Sequence, residues 1–153
     1  MKQWLFSQLP MKVLTLTLLY SSSSHGWEAS KFHKLCDDKG PTITLMKSKA
    51  GRVFGGFAMQ SWDSKTQGWK ADEKAFIYSI DRQQIYRVIE SQKALRCSSS
   101  WGPSFGYAAL GLADDPLNDE NGGWCFTNGY DDARIYGIKS DAQGNHEVTG
   151  EGD

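Results

Sequence analysis

The sequence predicts an α+β, mostly β fold: a two-sheet antiparallel β-sandwich with short peripheral helices. Three observations carry that expectation. Short apolar runs alternate residue by residue and are separated by turn signals, while helical periodicity is scarce. Phe54-Gly55-Gly56-Phe57 and, later, Trp101-Gly102-Pro103-Ser104-Phe105-Gly106 set glycines beside aromatic rings at the edges of such runs. Glycine in a strand pattern marks a bulge, or a ring or backbone packed too close for a Cβ, so both motifs point to a core closing around aromatics. Finally, a chain of 153 residues with 12% aromatics and six tryptophans is long and apolar enough for one sizeable core.

In chain order, Lys2 to Leu9 is expected as a short helix stopped by Pro10, so that residues 1–10 form an N-terminal helical segment and 11–153 the domain proper. Val13 to Tyr20 reads as the first strand, because Thr15 and Thr17 alternate with Leu14, Leu16 and Leu18. Ser21 to Gly26 is turn-rich. Glu28 to Cys36 is helical, with Phe32, Leu35 and Cys36 on one face. Thr42 to Lys47 and Arg52 to Met59 form a hairpin across Ser48-Lys49-Ala50-Gly51, where Gly51 supplies a positive φ. Ser61 to Asp72 is polar apart from Trp62 and Trp69, and is expected as a loop pinned by two rings. Ala75 to Ile80, Gln84 to Ile89 and Ala94 to Cys97 read as strands. Ser98 to Phe105 reads as a glycine-proline-aromatic turn leading into Gly106 to Leu112. Asp114 to Gly123 is an acidic loop, and Trp124 to Thr127 and Ala133 to Ile138 are two further short strands.

Net charge is −1 but unevenly spread: residues 1–113 hold 15 Lys/Arg against 8 Asp/Glu, and residues 114–153 hold 2 against 10. The acidic end either meets a basic partner surface or neutralises the rest of the fold. No Lys/Arg cluster interleaves with aromatics, so nucleic acid is not an expected partner. Three dispersed cysteines, Cys36, Cys97 and Cys125, favour reduced thiols over a disulfide scaffold or zinc site. Met1-Lys2, the run Met11 to Tyr20 and Ser21 to Ser24 imitate a secretory leader, but Pro10 and Lys12 interrupt it and the alternation is strand-like. A cytoplasmic protein without membrane insertion is expected, since no run approaches the ~18 apolar residues of a membrane span.

Several constellations invite a chemical reading. Gly102-Pro103-Ser104-Phe105-Gly106 matches the G-x-S-x-G nucleophile elbow, with Asp131 or Asp132 and then His146 in the order a hydrolase triad requires. That chemistry needs a helix directly after the serine, and Tyr107 to Leu112 offers no helical start, so tight aromatic–glycine packing is the expected role. His33 and Cys36, at i and i+3, could form a thiolate pair, but Cys36 falls on the apolar helix face. His25, His33 and His146 lack ligand spacing with the cysteines. Aligning Asp119, Asn121 and Gly122 to a calcium loop puts Leu117 first and Asn128 last, where acids are required. Asp72-Glu73 is expected as a surface turn. Trp62 and Trp69 either line a groove or cap the core, and capping is the expected role. No catalytic, cofactor or metal residue is assigned.

Taken together, the segments Leu18-Leu19-Tyr20, Phe32-His33-Lys34-Leu35-Cys36-Asp37, Gly40-Pro41-Thr42-Ile43-Thr44-Leu45, Gly51-Arg52-Val53-Phe54-Gly55-Gly56-Phe57, Trp62, Ala75-Phe76-Ile77-Tyr78-Ser79-Ile80 and Trp101-Gly102-Pro103-Ser104-Phe105-Gly106 identify a likeness. Over roughly residues 10 to 127 the chain resembles the TLDc (TBC/LysM-associated) domain of the oxidation-resistance proteins. The resemblance implies a two-sheet sandwich with peripheral helices, no established catalytic machinery and no cofactor. It also implies protection against oxidative stress and, as for several members, binding to the vacuolar proton-pumping ATPase. Asp114 to Glu120 is then a candidate contact. The family's closing strand should begin where Gly150-Glu151-Gly152-Asp153 stands, so a sheet edge is expected to be left open or completed by a partner strand. Two other functional readings stand beside the binding module: a small serine hydrolase using Ser104, and a sacrificial or redox-sensing thiol protein using Cys36, Cys97 or Cys125.

Overall fold

The computed structural model describes residues 2–48, 51–106, 109–113, 123–125 and 135–138. Three helices come first: α1 (Lys2–Ser7), α2 (Ser22–His25) and α3 (Ala29–Cys36). Nine strands follow among the described residues. They are β1 (Thr42–Lys47), β2 (Val53–Ala58), β3 (Gly68–Lys70), β4 (Phe76–Ser79), β5 (Gln84–Arg87), β6 (Leu95–Cys97), β7 (Trp101–Phe105), β8 (Leu110–Ala113) and β9 (Gly123–Cys125). They form two antiparallel sheets, ordered β1-β2-β4-β5 and β3-β6-β7-β8-β9. The mostly β, two-sheet architecture expected from the sequence is therefore what the chain adopts.

The central strands are buried on both faces, and period-two alternation assigns each face a separate apolar cluster. In β2 and β4, Phe54 and Ile77 join Phe32, Trp62, Leu95, Phe105, Leu110 and Tyr136 in the main core. Phe57, Phe76 and Tyr78 join a second cluster with Leu5 of α1 and Ile80. Helix α1 thus covers one face of the first sheet, while α3 packs into the main core through Phe32 and Cys36.

The paired glycines of β2 are explained by these two faces. A methyl group on Gly56 would overlap the ring of Phe105, which belongs to the other sheet. On Gly55 it would overlap the carbonyl oxygen of Thr44, which accepts a 2.7 Å hydrogen bond from the Tyr78 hydroxyl. One glycine admits a ring between the sheets; the other admits a tyrosine–backbone bond on the opposite face.

Five sequence expectations are corrected. Residues 12–20 run without turn or bend but join no ladder among the described residues, because alternation defines a face and does not supply a partner strand. Ser98 to Phe105 is not one turn: Trp101–Phe105 is a strand, and Pro103 is tolerated where the register to β8 shifts between Trp101 and Ser104. Ile135 and Tyr136 form a helical turn instead of a strand, with both side chains buried in the core. The two tryptophans do not pin one loop. Trp62 is 1% exposed and donates from Nε1 to Thr42 Oγ1 at 2.9 Å, whereas Trp69 sits on β3, partly exposed beneath the Arg96 guanidinium. The segment expected to be turn-rich, Ser21 to Gly26, also contains α2.

Candidate functional site

Ser104 lies inside β7, opposite Gly111 of β8, with 0% exposure. Its Oγ donates to the Gly106 carbonyl at 3.2 Å, and a methyl group on Gly111 would come within 2.9 Å of that oxygen. A nucleophile elbow lifts its serine clear of the sheet on a strand-to-helix turn. Here the chain continues through Gly106, at φ 60°, toward another antiparallel strand. Asp131, Asp132 and His146 lie outside the described residues. Ser104 and Gly111 are a packing pair in a hairpin.

His33 is a buried fastener. Its Nε2 donates to the carbonyls of Ser98 and Trp101, each at 2.8 Å, and its Nδ1 stands 2.6 Å from Asp37 Oδ1. Asp37 Oδ2 accepts from the Ser64 amide at 2.9 Å, and the Asp38 amide donates to the Trp62 carbonyl at 3.1 Å. One ring therefore ties the end of α3 to the β6–β7 turn, and its carboxylate neighbour ties the same end to the 62–64 loop. Both ring nitrogens have structural partners, so a His33–Cys36 nucleophilic pair is not formed.

The two described thiols, Cys36 and Cys97, are poorly suited to redox chemistry. Burial, reinforced by the Asp37 carboxylate and opposed only by Lys39, pushes Cys36 up to about 11. Cys97 is also raised, chiefly by burial. Both stay protonated near neutrality, where the thiolate is the reactive form. The side chain of Cys125 lies outside the described residues, as do Asp114 to Gly122, and with them the calcium-loop alignment and the acidic contact. Among the described residues no group of three His, Cys, Asp or Glu could hold a metal ion. Nor is any helix among them long and apolar enough to cross a membrane.

Asp72, expected on a surface turn, is 3% exposed. Its Oδ2 accepts from the amides of Met59 and Gln60 at 2.7 and 2.9 Å, and its Oδ1 from that of Lys74 at 2.9 Å. It closes the end of β2 by satisfying donors that leave the ladder. The Asx-turn spacing to Lys74 was readable from sequence; the reach to Met59 and Gln60 was not. Asp63 plays a related part nearer the surface. Burial would raise its carboxyl, but hydrogen bonds from Lys70 and Thr66, with the Lys70 charge, hold it well below the usual carboxylate range. Its Oδ2 lies 2.7 Å from Lys70 Nζ.

Among the described residues, the open chemistry is on the surface. Leu14, Leu16 and Leu18 are 84%, 58% and 80% exposed, and Leu45 and Ile89 are exposed as well. The leucine stretch hangs between two anchors: Leu5 of α1 in the second cluster, and Tyr20, whose ring packs on Phe32 and whose hydroxyl donates to the Gly26 carbonyl at 2.7 Å.

The motif residues are thus consumed by packing. The chain is 42% identical over 73 residues to the MTOR-associated protein MEAK7 of Xenopus laevis, covering 45% of this chain and 15% of that protein. It is 36% identical over 63 residues to the proteins of the same name from Danio rerio and Homo sapiens, covering 41% of this chain and 14% of each. The chain therefore spans only a small part of these relatives' length. The model of the TLDc domain matches residues 1–136, and the chain belongs to the TLDc domain family.

Proposed function

We propose that this chain is a non-enzymatic protein-interaction module that docks on the vacuolar proton-pumping ATPase and supports resistance to oxidative stress in the cytoplasm. The observation that carries this reading is the fate of the tempting chemical residues. Ser104 is sealed inside a hairpin, His33 fastens a helix to a turn, and Cys36 is held as a protonated core thiol. A domain whose distinctive residues build the interior offers its surface to partners, and family membership favours a protein as that partner. Protection against oxidants then follows from what the module binds, since its two described thiols are poor scavengers. The docking contact assigned is the acidic stretch Asp114 to Glu120, whose charge is opposite to that of the preceding part of the chain.

The test is capture of vacuolar ATPase subunits by the tagged chain, compared with a variant carrying Asp114→Lys, Asp115→Lys, Asp119→Lys and Glu120→Lys. Recovery by the parent and loss in the variant is expected. Equal recovery by both removes the acidic stretch from the contact, and recovery by neither contradicts the assigned partner. The relatives' name supports a second reading, association with MTOR, which the same capture would reveal by enrichment of that protein.

A further inference from the structure

We propose that His33 is a buried imidazolium in the folded protein, and that its second proton makes the joint between α3, the 98–101 turn and the 62–64 loop sensitive to pH. Nε2 stands 2.8 Å from two carbonyl oxygens, those of Ser98 and Trp101. A carbonyl oxygen only accepts, so this nitrogen carries a hydrogen. Nδ1 stands 2.6 Å from Asp37 Oδ1, where a bare ring nitrogen would set lone pair against lone pair. A second hydrogen therefore lies between them. It belongs to the ring, because an imidazole ordinarily holds its proton to about pH 6.5 and an aspartate only to about 3.9. The other carboxylate oxygen of Asp37 accepts from the Ser64 amide at 2.9 Å, as an ionised carboxylate does. Neutral imidazole has a single N–H and cannot serve both ends; only the imidazolium donates from both.

The charge is buried but matched. The side chains of His33 and Asp37 are 7% and 19% exposed, the pair is neutral as a unit, and each ring hydrogen has an acceptor. The Phe32 ring closes one side, with centroids 5.1 Å apart. On α3 and just beyond it, Lys31, Lys34, Asp38 and Lys39 are exposed, while Cys36 is a protonated thiol. From β6 come Cys97, also a neutral thiol, and Arg96, which lies over the Trp69 ring. From the 62–64 loop and β3 come Asp63 and Lys70, paired with each other at 2.7 Å; Lys70 also donates to the Ser61 carbonyl at 2.6 Å. The 98–101 turn and β7 carry no charged side chain. Among the described residues, Asp37 is thus the charge in direct contact with the ring.

Folding then takes up a proton wherever the unfolded histidine lacks one, that is above about pH 6.5. A native state that binds more protons than the unfolded chain loses stability as pH rises. What slackens is defined by the geometry. Without its second proton the ring can serve Asp37 or the two carbonyls, but not both. The carbonyls bracket the turn that enters β7, and Asp37 also holds the 62–64 loop through Ser64, so three segments loosen together.

Nitrogen-15 NMR of the histidine rings of the full chain at pH 7.5 tests the proposal, with His33→Gln identifying the His33 signals. Both His33 nitrogens are expected to carry hydrogen, while the histidines of the same chain unfolded in urea are mostly neutral. Urea unfolding between pH 6.5 and 8.5 supplies the second readout. The folding constant of the parent should fall with pH, approaching tenfold per unit, relative to that of Asp37→Asn. The amide introduced there can donate to Nδ1 and so satisfies a neutral ring. A His33 ring that is neutral at pH 7.5 in the parent overturns the proposal, whichever nitrogen is bare. So does a pH dependence in Asp37→Asn equal to that of the parent. Should Asp37→Asn fail to fold, the ring spectrum of the parent decides alone.

Discussion

The ring of Phe105 rests on the backbone of Gly56, in the space a Cβ would fill, and so brings the two sheets together at a point where one has no side chain. Trp62 meets the same ring edge-on at 5.4 Å, and Tyr136 meets it at 6.4 Å. Gly56→Ala should therefore destabilise the fold by about 1–3 kcal/mol, the usual cost of forcing atoms into a filled core. Chemical denaturation would register it. Phe105→Ala should cost more, about 3–5 kcal/mol, through the cavity it leaves.

His33→Ala should be destabilising although it removes no charge from the surface. The carbonyls of Ser98 and Trp101 would lose their shared donor, and Asp37 Oδ1 its imidazole partner. Leaving buried groups unpartnered costs about 1–3 kcal/mol each before relaxation. Thermal unfolding is the direct measurement, and faster amide exchange around Trp101 would locate the damage. A variant as stable as the parent would remove His33 from its fastening role.

The Asp63–Lys70 contact carries a pH dependence of known sign. The folded carboxyl titrates below the unfolded one, so the unfolded chain binds more protons in the acid range. Stability from this group is complete above the unfolded value of about 4 and is lost as pH falls below it. Asp63→Asn should lower stability near neutrality, by about 1 kcal/mol, and flatten the acid limb below about pH 4. Denaturant midpoints of both proteins across that range would measure the difference.

The two buried thiols should resist alkylation in the native state. Cys36 needs pH approaching 11 for appreciable thiolate, so its labelling by iodoacetamide at neutral pH should be limited by opening of the structure. Mass spectrometry of the labelled protein, with and without denaturant, gives the comparison. Rapid native labelling at Cys36 or Cys97 would restore the sacrificial-thiol reading.

Much of the fold was legible because local pattern and tertiary role coincide. In Phe54-Gly55-Gly56-Phe57, the alternation announces β2 and the glycines announce close contacts on its two faces. Helix α3 is similarly plain, since Phe32 and Cys36 face the core at helical spacing. Other features depend on distant residues. Pro103 obscures β7 until the register shift beside it is known. Ile135 and Tyr136 look like strand residues, yet the Tyr136 hydroxyl donates to the Ala94 carbonyl at 2.6 Å and the Ile135 carbonyl accepts from the Ile89 amide at 2.6 Å. Asp72 looks like a surface turn until Met59 and Gln60 fold over it. The serine motif misleads for the converse reason: a five-residue pattern carries no information about whether a helix follows.

The most direct test of the binding-module account is titration of the fluorescently labelled chain into purified vacuolar ATPase, read by anisotropy. The account predicts saturable binding that the four-lysine variant at Asp114, Asp115, Asp119 and Glu120 weakens by at least tenfold, about 1.4 kcal/mol. Binding would persist in Ser104→Ala, since that hydroxyl is internal to the hairpin. Absence of saturable binding by the folded chain would contradict the account.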